Sequence, residues 1–187
     1  MQIRLAKPTD FVQFPDVDGT IESSRYLHLD HSGEGLAISW RLEERALREK
    51  QIEPNRLTDE TTFMVKQIVT GADEGTVLVA EYDEALVAVL VAHHQPERNT
   101  LQIVDLRVDY ETRRQGIGTA MVYQAIAAAR ELERRAVSAE TTTSNYAAIQ
   151  LLHKHGFELS GVDTRRHSNH DVVKESATLL WYLPLSQ

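Results

Sequence analysis

Six consecutive residues, Arg113-Arg114-Gln115-Gly116-Ile117-Gly118, have the composition of an anion cradle. They lie where a strand-like run, Leu101 to Val108, gives way to a helical pattern from Ile117 to Leu132. Glycines let a backbone turn tightly and approach a ligand without a Cβ in the way. The first N–H groups of a helix have no intrahelical acceptor and, with the helix dipole behind them, favour negative charge. Arginines beside such a loop add phosphate contacts. The expected ligand chemistry is a pyrophosphate. Two better-known phosphate loops are excluded. No Lys-Ser/Thr follows the glycines, so this is not a Walker loop. Met121 stands where a dinucleotide fingerprint needs a third small residue, and the preceding strands read as antiparallel.

Other chemistries are poorly supplied. The chain has no cysteine, which removes disulfides, thiolate zinc sites and thiol nucleophiles. His93-His94 ends a strand pattern, while His153, His155, His167 and His170 fall late in the chain. His153 and His155 do not share a helix face. His167 and His170 sit in a polar loop, so no metal is expected. The formal net charge of -8 disfavours nucleic acid as a partner. No apolar run reaches the roughly 20 residues that span a bilayer, and the first residues, MQIRLAKPTD, lack the apolar core of a signal peptide. The expected location is the cytoplasm, with no membrane partner.

The elements that must position the loop follow from hydrophobic period. Residues 2–6 read as a strand, and Lys7-Pro8-Thr9-Asp10 as a turn or helix entry. Residues 11–35 read as a long loop. Residues 36–51 read as an amphipathic helix with Leu36, Trp40 and Leu47 on one side and Glu44 four residues before Arg48. Thr58 caps a further predicted helix that Gly71 closes. Thr76–Tyr82 and Ala85–Ala92, separated by Asp83-Glu84, read as a hairpin, and Leu101–Val108 as a third central strand. After the helix from Ile117 come a strand at 136–141, a helix at 145–155 stopped by Gly156, a strand at 157–162, a polar loop and a last strand at 177–183. The expected class is α/β (α+β): a mixed, mostly antiparallel central sheet flanked by helices. One domain is expected over 1–187, with a variable region at 1–75 and a core at 76–183.

The glycine segment resembles the acetyl-CoA-binding motif of the GCN5-related N-acetyltransferase (GNAT) superfamily, Gln/Arg-x-x-Gly-x-Gly/Ala, through Arg113, Gly116 and Gly118. Asn145-Tyr146-Ala147-Ala148 and Gly156-Phe157 resemble two later motifs of that superfamily in the right order. Within it, Glu140 with Asn145, Gly161-Val162-Asp163-Thr164 and Trp181-Tyr182-Leu183 resemble the streptothricin acetyltransferases. The resemblance implies acetyl-CoA as co-substrate and a splay between the fourth and fifth strands of the family's sheet. It implies that Leu106, Arg107 and Val108 offer backbone groups to the pantetheine arm. It further implies that Arg113, Arg114, Gln115, Gly116, Ile117, Gly118 and Thr119 hold the pyrophosphate, and that Asn145 reaches the cofactor near the splay.

Direct transfer to an amine requires that the ammonium lose a proton. Glu140 and Asp105 are the candidate bases. Glu140 is placed ahead because a carboxylate inside a short apolar strand costs desolvation. The family's usual tyrosine acid falls on Leu152, and its phenylalanine on Leu151. Tyr146, Tyr182 and Tyr110 are the remaining candidates, although a thiolate with a pKa of about 8.5 can leave without an acid. The implied acceptor is a small-molecule amine, a cationic antibiotic of the streptothricin type among the choices. A polyamine, an amino acid derivative or a protein amine are the others. Acids from the stretch 16–44 gathered in one cleft would suit a polycation. A non-catalytic acyl-CoA-binding protein is the competing reading, and the resemblance makes a homodimer one expected assembly.

Overall fold

The computed structural model describes residues 1–185. In chain order the elements are β1 (Gln2–Leu5), β2 (Ile21–Glu34), β3 (Ala37–Glu53), α1 (Asp59–Thr70), β4 (Gly75–Tyr82), β5 (Ala85–Gln95), β6 (Thr100–Val108), α2 (Ile117–Glu131), β7 (Ala136–Thr142), α3 (Tyr146–Lys154), β8 (Glu158–Asp163) and β9 (Thr178–Pro184). They form two compact units. The first holds residues 1–20, 54–139 and the chain from Tyr182 on, and the second holds 21–53 and 140–181. The expected division at residue 75 falls inside the first unit.

In the first unit the strands run in the order β1-β4-β5-β6-β7. The β1, β4, β5 and β6 neighbours are antiparallel, and β6 is parallel to β7. Burial on both faces explains the nearly continuous apolar runs. Val77, Val79, Val89 and Val91 pack with Val65 of α1 on one face. The intervening Leu78, Ala80, Ala88 and Leu90 are equally buried and point the other way, where α2 lies along β4, β5 and β6. Met121, Val122 and Ala125 of α2 are fully buried. Caps set the α1 boundaries. The Thr58 Oγ1 accepts the Thr61 N–H at 3.1 Å, and Gly71 ends the helix at φ 79°. The predicted mixed sheet with flanking helices is therefore the fold found.

The second unit corrects one prediction. Residues 21–53 are neither loop nor helix but a long antiparallel hairpin, β2 with β3. Its turn has two residues, Gly35-Leu36, because Glu34 pairs with Ala37. Gly35 stands first in the turn at φ 60° and Leu36 has no positive φ, the order of a type II′ turn, which takes glycine at its first position. The misread period is visible afterwards. Ile38, Trp40, Leu42, Ala46 and Ile52 occupy alternate positions, which is strand spacing. Cross-strand pairs then replace the helical ones: Trp40 lies against His31 with ring centroids 4.6 Å apart, Leu42 faces Leu29, and Glu44 binds Arg25 rather than Arg48. The Leu27 N–H donates to the Thr143 carbonyl at 2.9 Å, and α3 packs on β2. The strands of this unit run β7-β9-β8, with the Trp181 indole N–H donating to the Thr141 hydroxyl at 2.9 Å.

Candidate functional site

Strand β6 loses one of its two register partners at its middle. Its register with β7 covers only Thr100 to Ile103, paired with Ala136 to Ala139. Its register with β5 jumps at the same place, from Ala92 opposite Ile103 to Val91 opposite Asp105, which leaves Val104 as a bulge. From Val104 to Val108 the strand therefore keeps β5 on one side and no register partner in β7 on the other. This is the divergence expected of the two strands. The bulge itself was missed, because an inserted residue leaves the composition of a strand unchanged.

The glycine loop follows. Asp109 caps the 3-10 turn Tyr110–Thr112, its Oδ1 accepting the Glu111 N–H at 3.1 Å. Arg113 folds back on this turn. Its Nε donates to the Val108 carbonyl at 2.9 Å, its Nη2 donates to the Asp18 carbonyl at 3.1 Å, and its guanidinium lies 5.1 Å from the Tyr110 ring centroid. The Arg113 side chain is thus held by protein groups, and the expectation that it contacts phosphate passes to the loop backbone. Arg114 and Gln115 are exposed, and Arg114 adopts φ 63°. Gly116 is the N-cap of α2 at φ 84°, with no side-chain cap. A Cβ built there meets nothing within 4 Å, so the backbone conformation rather than crowding calls for glycine, and the space above it is open. The Gly116 carbonyl takes the Ala120 N–H at 3.0 Å, the first bond of the helix. The N–H groups of Ile117, Gly118 and Thr119 precede that bond and point out of the helix end. An anion fits this set without any rearrangement of side chains.

Asp105 and Arg107 share the α1 face of β6, opposite Val91 and Val89. Arg107 is almost wholly buried. Its Nε and Nη2 each donate to a carboxylate oxygen of Asp105 at 2.8 Å, and its Nη1 donates to the Asn55 carbonyl at 3.1 Å. Both Asp105 oxygens are therefore engaged, which counts against it as the base. The Arg107 side chain, expected to matter only through its backbone, is the centre of this cluster. No sequence signal joins it to Asn55. Gly19 is a partial clue: a Cβ there would lie 2.9 Å from the Asn55 carbonyl and 3.3 Å from the Arg107 Cβ. Beside the cluster lies a cavity of about 740 Å³, within the range of small-molecule sites. Its walls include Phe14, Val17, Leu57 and Val65, with Asp16 and Asp18 on one segment and Arg56 and Lys66 on another. Hydrogen bonds from Thr20 hold the Asp18 carboxyl below the usual carboxylate range. The cavity is apolar with both signs of charge, not the acid-lined cleft a polycation would suit.

In the second unit, Glu140 is exposed and paired with Arg166 at 3.1 Å. The desolvation argument that ranked it first does not hold. Asn145 caps α3, its Oδ1 accepting the Ala148 N–H at 3.2 Å. The Tyr146 hydroxyl donates to Glu44 at 2.5 Å and accepts from Gln150 at 2.9 Å. Leu152 is core. Tyr182 belongs to the first unit. Its ring lies 6.0 Å from the Arg135 guanidinium, next to the start of β7, and β7 begins opposite Thr100. The glycine loop begins after Val108, eight residues and about 26 Å along β6. His93 and His94 pair with Asp73 and Glu74. Among the described residues no group of three or more His, Cys, Asp or Glu side chains could hold a metal ion, and no helix is long and apolar enough to cross a membrane.

The family model described as acetyltransferase (GNAT) family matches residues 38–157. Streptothricin acetyltransferase A of Bacillus subtilis (strain 168) is 35% identical over 80 residues, which are 43% of this chain and 46% of that protein. The match thus spans less than half the length of that relative. The crystal structure of nourseothricin acetyltransferase superposes with a TM-score of 0.78 at 22% identity, covering 99% of this chain and 98% of that one. A Bacillus anthracis (strain Ames) protein designated a streptothricin acetyltransferase, solved with acetyl coenzyme A, gives 0.77 at 20% identity over 99% and 97%.

Proposed function

The chain belongs to the acetyltransferase (GNAT) family, and from that premise we propose that it moves an acetyl group from acetyl-CoA to a primary amine of a small molecule by direct attack in a ternary complex. The observation that carries the reading is the α2 N-terminus: three outward N–H groups behind a glycine at φ 84°, with no side chain capping them. In this reading the pyrophosphate rests on the backbone of Arg113 to Thr119, and the pantetheine arm runs along Leu106 to Val108. Acetyl-CoA supplies an activated acyl group whose thiolate departs without strict need of an acid. The residues of the chain bind, orient and deprotonate. Glu140 takes the ammonium proton, since its exposed pair with Arg166 is weakly held in solvent, while Asp105 orients Arg107. Asn145 caps α3. The acceptor is a cationic amine, and two relatives whose names carry streptothricin support that type, whereas the mixed charge of the cavity walls favours a molecule with few positive groups. A second reading, acyl-CoA binding without transfer, is favoured by the buried Leu152 at the usual acid position.

Thiol release from acetyl-CoA across a panel of streptothricin, polyamines, amino acid amides and a peptide amine, with mass detection of products, tests both. Acetylated streptothricin is the expected product. Release with another amine only would replace the acceptor. CoA binding by calorimetry with no release on any amine would favour the second reading, and no CoA binding would overturn both.

A further inference from the structure

One residue of the cavity wall, Asp18, is held through both its N–H and its carbonyl by the entrance to the glycine loop. The Asp18 N–H donates to Asp109 Oδ2 at 3.1 Å, and the Asp18 carbonyl accepts from Arg113 Nη2 at 3.1 Å. Asp109 uses its other oxygen to cap the turn that leads into the cradle, and its own N–H is fixed to the Val87 carbonyl of β5 at 2.8 Å. Arg113 is fixed at the same time to the end of β6 through the Val108 carbonyl. Asp18, Gly19, Thr20 and Arg107 all line the cavity, and a Cβ on Gly19 would meet the Asn55 carbonyl at 2.9 Å, beside Arg107. Two loops more than 90 residues apart in sequence thus share two hydrogen bonds, and two local ones fix the aspartate and the arginine that make them.

We propose that Asp109 is a positioning residue that fastens the cavity wall at Asp18–Thr20 to the cradle at Arg113–Gly118, so that occupation of the cradle orders the wall. This rests on the acetyl-CoA reading above. A carboxylate suits the task because it has two acceptor oxygens and can serve two N–H groups at once. A hydroxyl can cap the turn but has one oxygen to offer. Linkage is reciprocal, so CoA raises the affinity of a molecule in the cavity by the same factor by which that molecule raises the affinity of CoA.

Amide hydrogen exchange on the full chain, with and without CoA, tests this before any acceptor is known. In the wild-type protein CoA is expected to slow exchange at Ile117–Thr119 and also, by about tenfold, at Asp18. In Asp109→Ser the helix-end protection is expected to remain and the Asp18 response to vanish. Asp109→Asn, which keeps one acceptor oxygen and the side-chain length, separates the grip from stability: its melting temperature should match that of the Ser variant, with the Asp18 response partly retained. A wild-type Asp18 amide indifferent to CoA, or a response that survives in Asp109→Ser, would overturn the proposal. Absence of CoA protection at Ile117–Thr119 in the wild type would instead overturn the acetyl-CoA reading on which it rests.

Discussion

Asp105→Ala is expected to be among the most damaging single changes in the first unit. The substitution leaves a guanidinium whose side chain is 3% exposed with one carbonyl, that of Asn55, in place of a two-point carboxylate contact. Breaking a buried pair from one side costs about 3–5 kcal/mol, because the remaining charge is uncompensated. That is a large share of a domain stability of roughly 5–15 kcal/mol. With a urea m-value of about 2 kcal/mol/M, the unfolding midpoint should fall by roughly 1.5–2.5 M. Removing both charges is different. The double change Asp105→Leu with Arg107→Met deletes the desolvation cost together with the attraction, and it should return to within about 1.5 kcal/mol of the wild type. Urea unfolding of the wild type, both single variants and the double gives the coupling energy, expected near 3 kcal/mol. Thiol release by the folded double variant then separates structure from chemistry, and turnover is expected within about threefold of wild type because Glu140 is the proposed base. A coupling below about 0.5 kcal/mol would refute the ion-pair reasoning. A stable double variant about a hundredfold slower would return Asp105 to the role of base.

Glu140→Gln should leave CoA affinity unchanged in calorimetry and stability within about 0.5 kcal/mol, the pair with Arg166 being exposed, while turnover falls by about a hundredfold. Tyr146→Phe should keep turnover within about threefold, since its hydroxyl is occupied by Glu44 and a thiolate needs no acid; a pH–rate profile that loses its alkaline limb would contradict this. Gly116→Val should weaken CoA binding by about tenfold, because a β-branched residue at φ 84° costs about 1–2 kcal/mol or moves the N–H groups off target. The Asp10 carboxyl is held below its usual range chiefly by Arg4, against the opposing effect of burial. A depressed carboxylate stabilises the fold above its unfolded pKa of about 3.9 and loses that contribution as pH falls through its lower folded value. Acid unfolding should therefore be less steep in Asp10→Asn below about pH 4.

The parts of this molecule that were legible in its sequence are those whose physics is local. The β4–β5 hairpin announced itself by two apolar runs around Asp83-Glu84, both of which adopt positive φ. The α2 start was written in Gly116 and Gly118, and the α1 ends in Thr58 and Gly71. The hairpin at 21–53 was not legible by the same route. Charged residues on both faces diluted its alternation, and Leu36, Trp40 and Leu47 offered a helical spacing by coincidence. The Arg107 cluster depends on Asn55, 52 residues away, and no local pattern encodes that approach. Glu140 was ranked on an apolar neighbourhood that is real in sequence, with Ala136 to Ala139 all buried, but ends one residue too early.

The half-ladder of β6 also bears on the colloidal behaviour of the protein. From Val104 to Val108 the strand has no register partner on its β7 side, and a strand edge of that kind is a template for another chain. Its peptide groups must bond to something. In the proposed reading the pantetheine arm runs along this stretch, and its amides would make a bound molecule a short surrogate strand that blunts the edge. Protein stripped of coenzyme A should then scatter more light on storage than protein kept with it. In that light the co-substrate is also a keeper of the monodisperse state.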